Sequence, residues 1–239
     1  MSGQDWLGVG MFFLYYIIGA GGAALLSLVL KLPQEVRRKI YHLLACGSIF
    51  VLLQCFDHWY GALAAIGLFL LVVFVVVPTA VRLFSFKAVA IQRGGSINEV
   101  LYQAGIFLLS QALLIGLFWG LFGEEHKLHI AIGMTALGLG DAAAALIGRH
   151  FGRKKFRSRI FDRSKTVEGS LAMIGSAFGG ILLILLFLTE LSFSTAFLSA
   201  LILAVLSGAV EAVAVHGLDT ILIPLAVSFF SHGLFLLIQ

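Results

Sequence analysis

The sequence predicts an all-α, polytopic integral membrane protein with about eight transmembrane helices. Of its 239 residues, 60% are hydrophobic and 12% are charged, and its mean hydropathy is +1.05. A soluble domain carries about 25% charged residues, so most of these apolar side chains require lipid as their solvent. We therefore expect a single transmembrane domain over residues 1–239 and no separate soluble domain.

Eight apolar runs are long enough to cross a bilayer, because a spanning helix needs roughly 17–25 residues. In chain order they are 6–30, 40–56, 59–78, 100–122, 130–148, 169–188, 193–214 and 220–238. The first run has no basic segment before it, unlike a cleaved signal peptide, so we interpret it as a retained span. The second run is short, and the fifth and seventh contain acidic residues.

The basic residues predict the orientation of these spans. Loops 31–42, 79–99 and 149–168 hold 15 of the 16 lysines and arginines, and only Lys127 falls on the other side. Cytoplasmic loops of membrane proteins are enriched in Lys and Arg. The three loops are therefore predicted to be cytoplasmic, with the N-terminus and the C-terminus on the non-cytoplasmic side. A bacterial plasma membrane is the simplest setting.

Three acidic residues are predicted near the cytoplasmic ends of the spans. Asp141 lies in the fifth run on a glycine- and alanine-rich face, Glu211 in the seventh run, and Asp219 after a predicted break at Gly217. A charged residue inside a membrane helix costs about 2.5–3.5 kcal/mol on insertion scales, so a functional role is favoured. The alternative for Asp141 is a structural polar contact to another helix. Because Mg²⁺ is held by one or two carboxylates plus substrate phosphates, the acids predict a magnesium site.

The 149–168 loop has the features of a phosphate-binding site. Arg149 and Arg153 are one helical turn apart, Gly152 allows close approach of the backbone, and Lys165-Thr166 directly precede a helix N-terminus that favours anions. The alternative is a topology determinant that binds anionic lipid. Lys165 lacks the preceding glycine of a Walker A loop. A small loop against a membrane is poorly suited to nucleic acid.

Glu168 and the histidines allow more than one interpretation. Glu168 stands in the first turn of the sixth run, where a helix-start role and a catalytic role are both open. His42 follows Arg38 and Lys39 by one turn at the cytoplasmic entry to the second run, and a functional role for it is open. His216 lies close to Glu211 and Asp219. The remaining membrane-interface histidines form no motif such as His-Glu-x-x-His and are assigned to the non-cytoplasmic interface. They are His58, His126, His129 and His232.

Four blocks of the sequence carry a resemblance to a known family. They are Arg38-Lys39-x-x-His42, then Gly140-Asp141-x-x-Ala144-x-x-x-Gly148-Arg149-x-Phe151-Gly152, then Lys165-Thr166-x-Glu168-Gly169-Ser170, and Glu211 with Gly217-x-Asp219-x-x-x-x-Pro224. In order and spacing they resemble the dolichol kinase and phytol kinase family, which is distantly similar to phosphatidate cytidylyltransferases. The likeness covers most of the chain, and its second block is the most specific.

The resemblance implies a CTP-dependent kinase that phosphorylates the hydroxyl of a membrane-embedded lipid alcohol of the phytol, polyprenol or dolichol type. It implies three sets of site residues. The catalytic set is Asp141, Lys165, Glu168 and His42; the nucleotide-binding set is Arg38, Lys39, Arg149, Gly152, Arg153, Lys165 and Thr166; the Mg²⁺ set is Asp141, Glu211 and Asp219.

Two other functions remain open at this point. One is a cytidylyltransferase that makes a CDP-lipid, and the other is an ion-coupled transporter or membrane scaffold. A transporter is expected to place its acids near the bilayer midplane and to contain paired repeats, neither of which this sequence suggests. The predicted partners are the lipid alcohol, the nucleotide triphosphate and the bilayer, with a homo-oligomer left open.

Overall fold

The computed structural model describes residues 1–76, 78–79, 97–155, 165–214 and 217–238, and the described chain is helical apart from short connections and one isolated bridge. Each predicted run overlaps one helix of these residues, and two of the runs continue from an α-helix into π-helical turns. The helices are α1 Gly3–Val29, α2 Gln34–Gln54, α3 Trp59–Leu71, α4 Ile97–Leu114, α5 Lys127–Phe151, α6 Val167–Leu188, α7 Phe193–Val213 and α8 Asp219–Ile238. The all-α fold class is therefore confirmed.

Within the described ranges, seven helical segments are long and apolar enough to cross a membrane. Two of them include π-helical turns, Val72–Val76 after α3 and Ile115–Phe122 after α4. The exception is α2, which has the length of a span but carries four charged residues in its first six positions. An integral membrane protein is confirmed, and the orientation of its spans stays a prediction.

The helices begin where the sequence supplies capping side chains. Ser2 and Asp5 form a capping box at α1, and Thr166 and Ser192 accept hydrogen bonds from the first turns of α6 and α7. The predicted break before α8 is confirmed at Gly217, whose φ of 80° lies in the left-handed region that glycine tolerates.

The described residues fall into two compact units, and the first is Met1–Leu121. In this unit the Tyr15 hydroxyl donates to the Leu44 carbonyl at 2.8 Å, which joins α1 to α2. The Gln111 side chain donates to Ser48 Oγ at 3.1 Å, which joins α4 to α2. Phe12 is fully buried at the centre of this unit.

The second unit is Phe122–Gln239, in which α5 packs against α6 and α8, and α7 packs against both α6 and α8. The close contacts are made by small residues, as predicted for the glycine- and alanine-rich face of α5. A Cβ at Gly140 would come within 2.9 Å of Met173, and one at Gly133 within 2.5 Å of the Pro224 carbonyl oxygen. Small residues at these positions let neighbouring helix backbones approach closely.

Candidate active site

Three predicted site residues of the second unit meet at one point. The Lys165 ammonium lies 3.0 Å from Glu211 Oε1 and 3.3 Å from Asp219 Oδ2, and it donates to the Glu211 backbone carbonyl at 2.5 Å. Lys165 directly precedes α6, Glu211 lies in the last turn of α7 and Asp219 begins α8. The Lys165 ammonium therefore connects the start of α6 to the C-terminal end of α7 and to the N-terminal end of α8.

Glu211 is buried, with 6% of its surface exposed. Its second carboxylate oxygen accepts a hydrogen bond from the Ser170 hydroxyl at 2.8 Å. A buried carboxylate is stable only when it is paired and hydrogen-bonded. Lys165 and Ser170 meet these two requirements.

The electrostatics of this cluster favour charged Lys165. Burial lowers the pKa of the Lys165 ammonium, but the carboxylates of Glu211 and Asp219 outweigh burial and raise it above the usual value of 10.5. The lysine is therefore positively charged at neutral pH, and its ammonium contacts three oxygen atoms with its three N–H groups.

The backbone of residues 154–155 runs antiparallel to the start of α6. Val167 N–H donates to the Lys154 carbonyl at 2.9 Å, and Lys155 forms an isolated bridge with Thr166. Both carboxylate oxygens of Glu168 accept from Lys154 N–H at 3.2 Å. Glu168 thus fixes the basic segment to α6, which is a positioning contact that the sequence left open.

Thr166 and Gly152 lie together at this junction. Thr166 Oγ1 accepts from Gly169 N–H at 3.2 Å and so caps α6. A Cβ at Gly152 would meet Thr166 Cγ2 at 2.7 Å, and a Cβ at Gly169 would meet the Ala144 carbonyl at 3.0 Å. Glycine is thus required here for close packing of α5 on α6, while ligand approach at Gly152 stays a prediction.

Asp141 lies on the turn of α5 that packs against Met173 of α6. It is half-buried and directly follows Gly140, whose Cα faces Met173. Met173 is one helical turn from Ser170 along α6, so Asp141 lies about one turn from the level of the Ser170–Glu211 contact. Its predicted roles in metal binding and catalysis stay predictions.

The predicted phosphate-binding arginines are at the end of α5. Arg149 lies in the last turn of the helix and Arg153 follows it, and both side chains are exposed. Arg157, Arg159 and Arg163 of the same loop, His216, and the basic residues Arg82, Lys87 and Arg93 lie outside the described residues.

The remaining predicted residues lie on α2 of the first unit. Arg38 forms an ion pair with Glu35 at 2.6 Å. Lys39 is buried, with 3% of its surface exposed. His42 Nε2 lies 3.7 Å from Cys46 Sγ. Their roles in nucleotide binding and catalysis stay predictions.

The donor set around Lys165 includes carboxylate oxygens, which the predicted magnesium site requires. In this structure the cation between Glu211 and Asp219 is the Lys165 ammonium, so magnesium binding stays a prediction. Mg²⁺ takes oxygen ligands of this kind together with phosphate oxygens and water. Sequence reasoning assigned these acids but missed Ser170, whose only signal was its position within the Lys165–Ser170 block.

The described residues thus define a polytopic helical membrane protein with a partly buried Lys–Glu–Asp cluster beside an exposed basic segment. No model of a known protein family matches the chain, and no solved structure matches it. It is 27% identical to a phytol kinase of Synechocystis sp. over 227 residues, which are 92% of this chain and 88% of that protein.

Two yeast proteins match shorter stretches of the chain. A dolichol kinase of Schizosaccharomyces pombe is 30% identical over 59% of this chain, and one of Saccharomyces cerevisiae is 35% identical over 48% of it. The matched stretches are 29% and 22% of those longer proteins. The chain is thus similar to phytol and dolichol kinases, to the first over most of its length and to the second over about half of it.

Proposed function

We propose that this chain transfers the γ-phosphate of CTP to the hydroxyl of a membrane-embedded isoprenoid alcohol, at the cytoplasmic face of a bacterial plasma membrane. The observation that carries the proposal is the Lys165–Glu211–Asp219 cluster at the N-terminus of α6. It combines a cation for phosphate with carboxylates for a metal, next to exposed Arg149 and Arg153. The names of the relatives, phytol kinase and dolichol kinase, support a lipid alcohol as the acceptor.

Lys165 has a defined task in this proposal. Its three N–H groups already contact three oxygens, so binding a phosphate requires the exchange of one of them. Asp219 makes the longest contact, at 3.3 Å, and is the partner we expect to be exchanged. Glu211 stays fixed by Ser170, which keeps the lysine directed at the nucleotide.

The transfer itself requires positioning and charge neutralisation more than covalent chemistry. The alcohol oxygen attacks the γ-phosphorus, the bond between that phosphorus and the β–γ bridging oxygen breaks, and CDP leaves. We assign orientation of the hydroxyl, and acceptance of its proton, to Asp141. A Mg²⁺ ion held by Glu211 and Asp219 would neutralise phosphate charge.

The lipid chain is assigned to an open apolar groove between α7 and α8. Its lining residues are neighbours of Glu211 and Asp219 in the sequence, so we expect the hydroxyl end of a bound lipid to lie towards these carboxylates. They are Ala209, Val210, Val213, Ala214, Leu218 and Leu222. Ala209→Trp is expected to raise the KM for the alcohol several-fold while leaving the KM for CTP unchanged.

The activity is tested with purified chain in liposomes, γ-labelled CTP, Mg²⁺ and a panel of phytol, polyprenol, dolichol and diacylglycerol. We expect a labelled lipid phosphate from an isoprenoid alcohol, and less product when ATP, GTP or UTP replaces CTP. Glu211→Gln is expected to lower kcat at least about 100-fold, as loss of one electrostatic stabiliser does. Glu190→Gln, at an exposed acid in the α6–α7 connection, is the matched control. If no alcohol is phosphorylated with any nucleotide, the proposal is wrong.

A further inference from the structure

Three histidine side chains meet where α5 begins and α8 approaches its end. His126 precedes α5, His129 lies in its first turn, and His232 lies on α8. Their ring centroids are 4.8 Å apart for His126–His232, 5.3 Å for His129–His232 and 5.8 Å for His126–His129. These three histidines, each of which the sequence assigned separately to the non-cytoplasmic interface, thus form one cluster.

Two polar features of the cluster suit a bound cation. Nδ1 of His126 is buried and has no hydrogen-bond partner, and the nearest carboxylate oxygen, Oε1 of Glu125, is 3.6 Å away. Nδ1 of His129 is hydrogen-bonded to buried Ser231 Oγ at 2.9 Å. When this nitrogen is the donor, Nε2 of His129 carries the lone pair, and metal-binding histidines are usually oriented in this way.

The spacing of the rings agrees with a three-histidine metal site. With metal–nitrogen bonds of about 2.0–2.1 Å and tetrahedral angles, ring centroids are about 5.2 Å apart. The observed distances of 4.8, 5.3 and 5.8 Å lie on both sides of this value. At least one of the three rings must still reorient, because the ligand nitrogens of the three histidines do not all lie within 4.8 Å of one another.

Another group in the described chain, Asp5, Asp57 and His58, already has convergent ligand atoms. Asp5 is fully buried there, and its carboxylate accepts from Ser2 N–H and from the backbone N–H groups of Asp57 and His58. The Nδ1 atom of His58 also lies 3.0 Å from Oδ2 of Asp5. Asp5 is thus satisfied by hydrogen bonds that hold the start of α1 to residues 57–58, and this group needs no metal.

We propose that His126, His129 and His232 bind one divalent transition-metal ion of the zinc class, with Glu125 or water as the fourth ligand. Imidazole nitrogen is the ligand that such ions prefer. His232 lies about 20 Å along α8 from Asp219, at 1.5 Å per residue, so the ion is distinct from any magnesium at Lys165. The bound ion would link the start of α5 to the C-terminal part of α8.

The test uses the purified full chain in detergent after removal of metal with a chelator. Calorimetric titration with Zn²⁺ is expected to give one equivalent of bound metal, and Co²⁺ is expected to give the absorption bands of a tetrahedral nitrogen-ligated ion. His232→Ala should weaken Zn²⁺ binding at least about 100-fold, and Ser231→Ala about 10–100-fold through loss of ring orientation. His150→Ala, at an exposed histidine later on α5, should leave the affinity unchanged.

Two results would overturn the proposal. One is a wild-type Co²⁺ complex without tetrahedral bands, which needs no variant to fold. The other is Zn²⁺ binding that survives the triple replacement of His126, His129 and His232 by alanine but is lost in His58→Ala, because the ion would then occupy the Asp5 group.

Discussion

Replacing Lys165 with alanine is expected to destabilise the second unit through the charge it leaves behind. Glu211 is 6% exposed and its carboxylate is 3.0 Å from the lysine ammonium, so the substitution strands a buried anion. Removal of one partner from a buried pair costs about 3–5 kcal/mol. Asp219 is more exposed than Glu211, and Ser170 still donates to Glu211, so we expect the lower end, about 3 kcal/mol.

Thermal unfolding followed by circular dichroism in detergent measures this effect. A loss of about 3 kcal/mol corresponds to a fall in Tm of roughly 6–12 °C for a chain of this size. Tryptophan fluorescence is unsuitable, because Trp6, Trp59 and Trp119 all lie in the first unit. Lys154→Ala, at an exposed lysine, is the control and should change stability by less than about 0.5 kcal/mol.

A double-mutant cycle separates the effect of the unpaired Glu211 charge from the effect of lost packing. Glu211→Gln removes the charge, so Lys165→Ala/Glu211→Gln should recover at least about half of the stability lost in Lys165→Ala. If the two substitutions instead add to within about 0.5 kcal/mol, Lys165 and Glu211 are not coupled and the reasoning is refuted.

Three further predictions concern the same junction. Gly152→Ala should cost about 1–3 kcal/mol because its Cβ would collide with the Gly148 carbonyl, whereas Gly175→Ala, with open space around it, should not destabilise the chain; Tm values compare them. Thr166→Ala should cost about 1 kcal/mol of helix capping and Thr166→Ser should restore it, measured by the same unfolding experiment. Because the pKa of Lys165 is raised in the folded chain, its stabilisation should be complete below about pH 10 and be lost as the pH rises through the folded value. Lys165→Met should therefore show a flatter Tm–pH profile than the wild type above about pH 10. The prediction is contradicted if the wild-type Tm already falls below pH 9 and the Tm of Lys165→Met falls with the same slope.

The helices could be predicted from the sequence because hydropathy and length determine them. All eight predicted runs coincide with helices over most of their length, and the break at Gly217 was visible as a glycine between two apolar runs. For α2 the prediction of a span was less accurate, because its helix begins at Gln34 and includes the charged residues that were assigned to the preceding loop.

The contacts within the site were less predictable because they join residues far apart in the chain. Glu211 and Asp219 were identified as acids at one depth, but their contact with Lys165, 46 and 54 residues away, required the fold. The role of Glu168 against Lys154 N–H and the meeting of His126 with His232 depend on backbone positions that no local pattern encodes.

The most direct test of the central claim compares CTP labelled at the γ-phosphate with CTP labelled at the α-phosphate, in liposomes that contain phytol. We predict that the lipid product carries the γ label alone and that CDP is released. Glu211→Gln should slow the labelling at least about 100-fold, while Glu190→Gln should not. Transfer of the α label to lipid with release of pyrophosphate would contradict the account and identify a cytidylyltransferase.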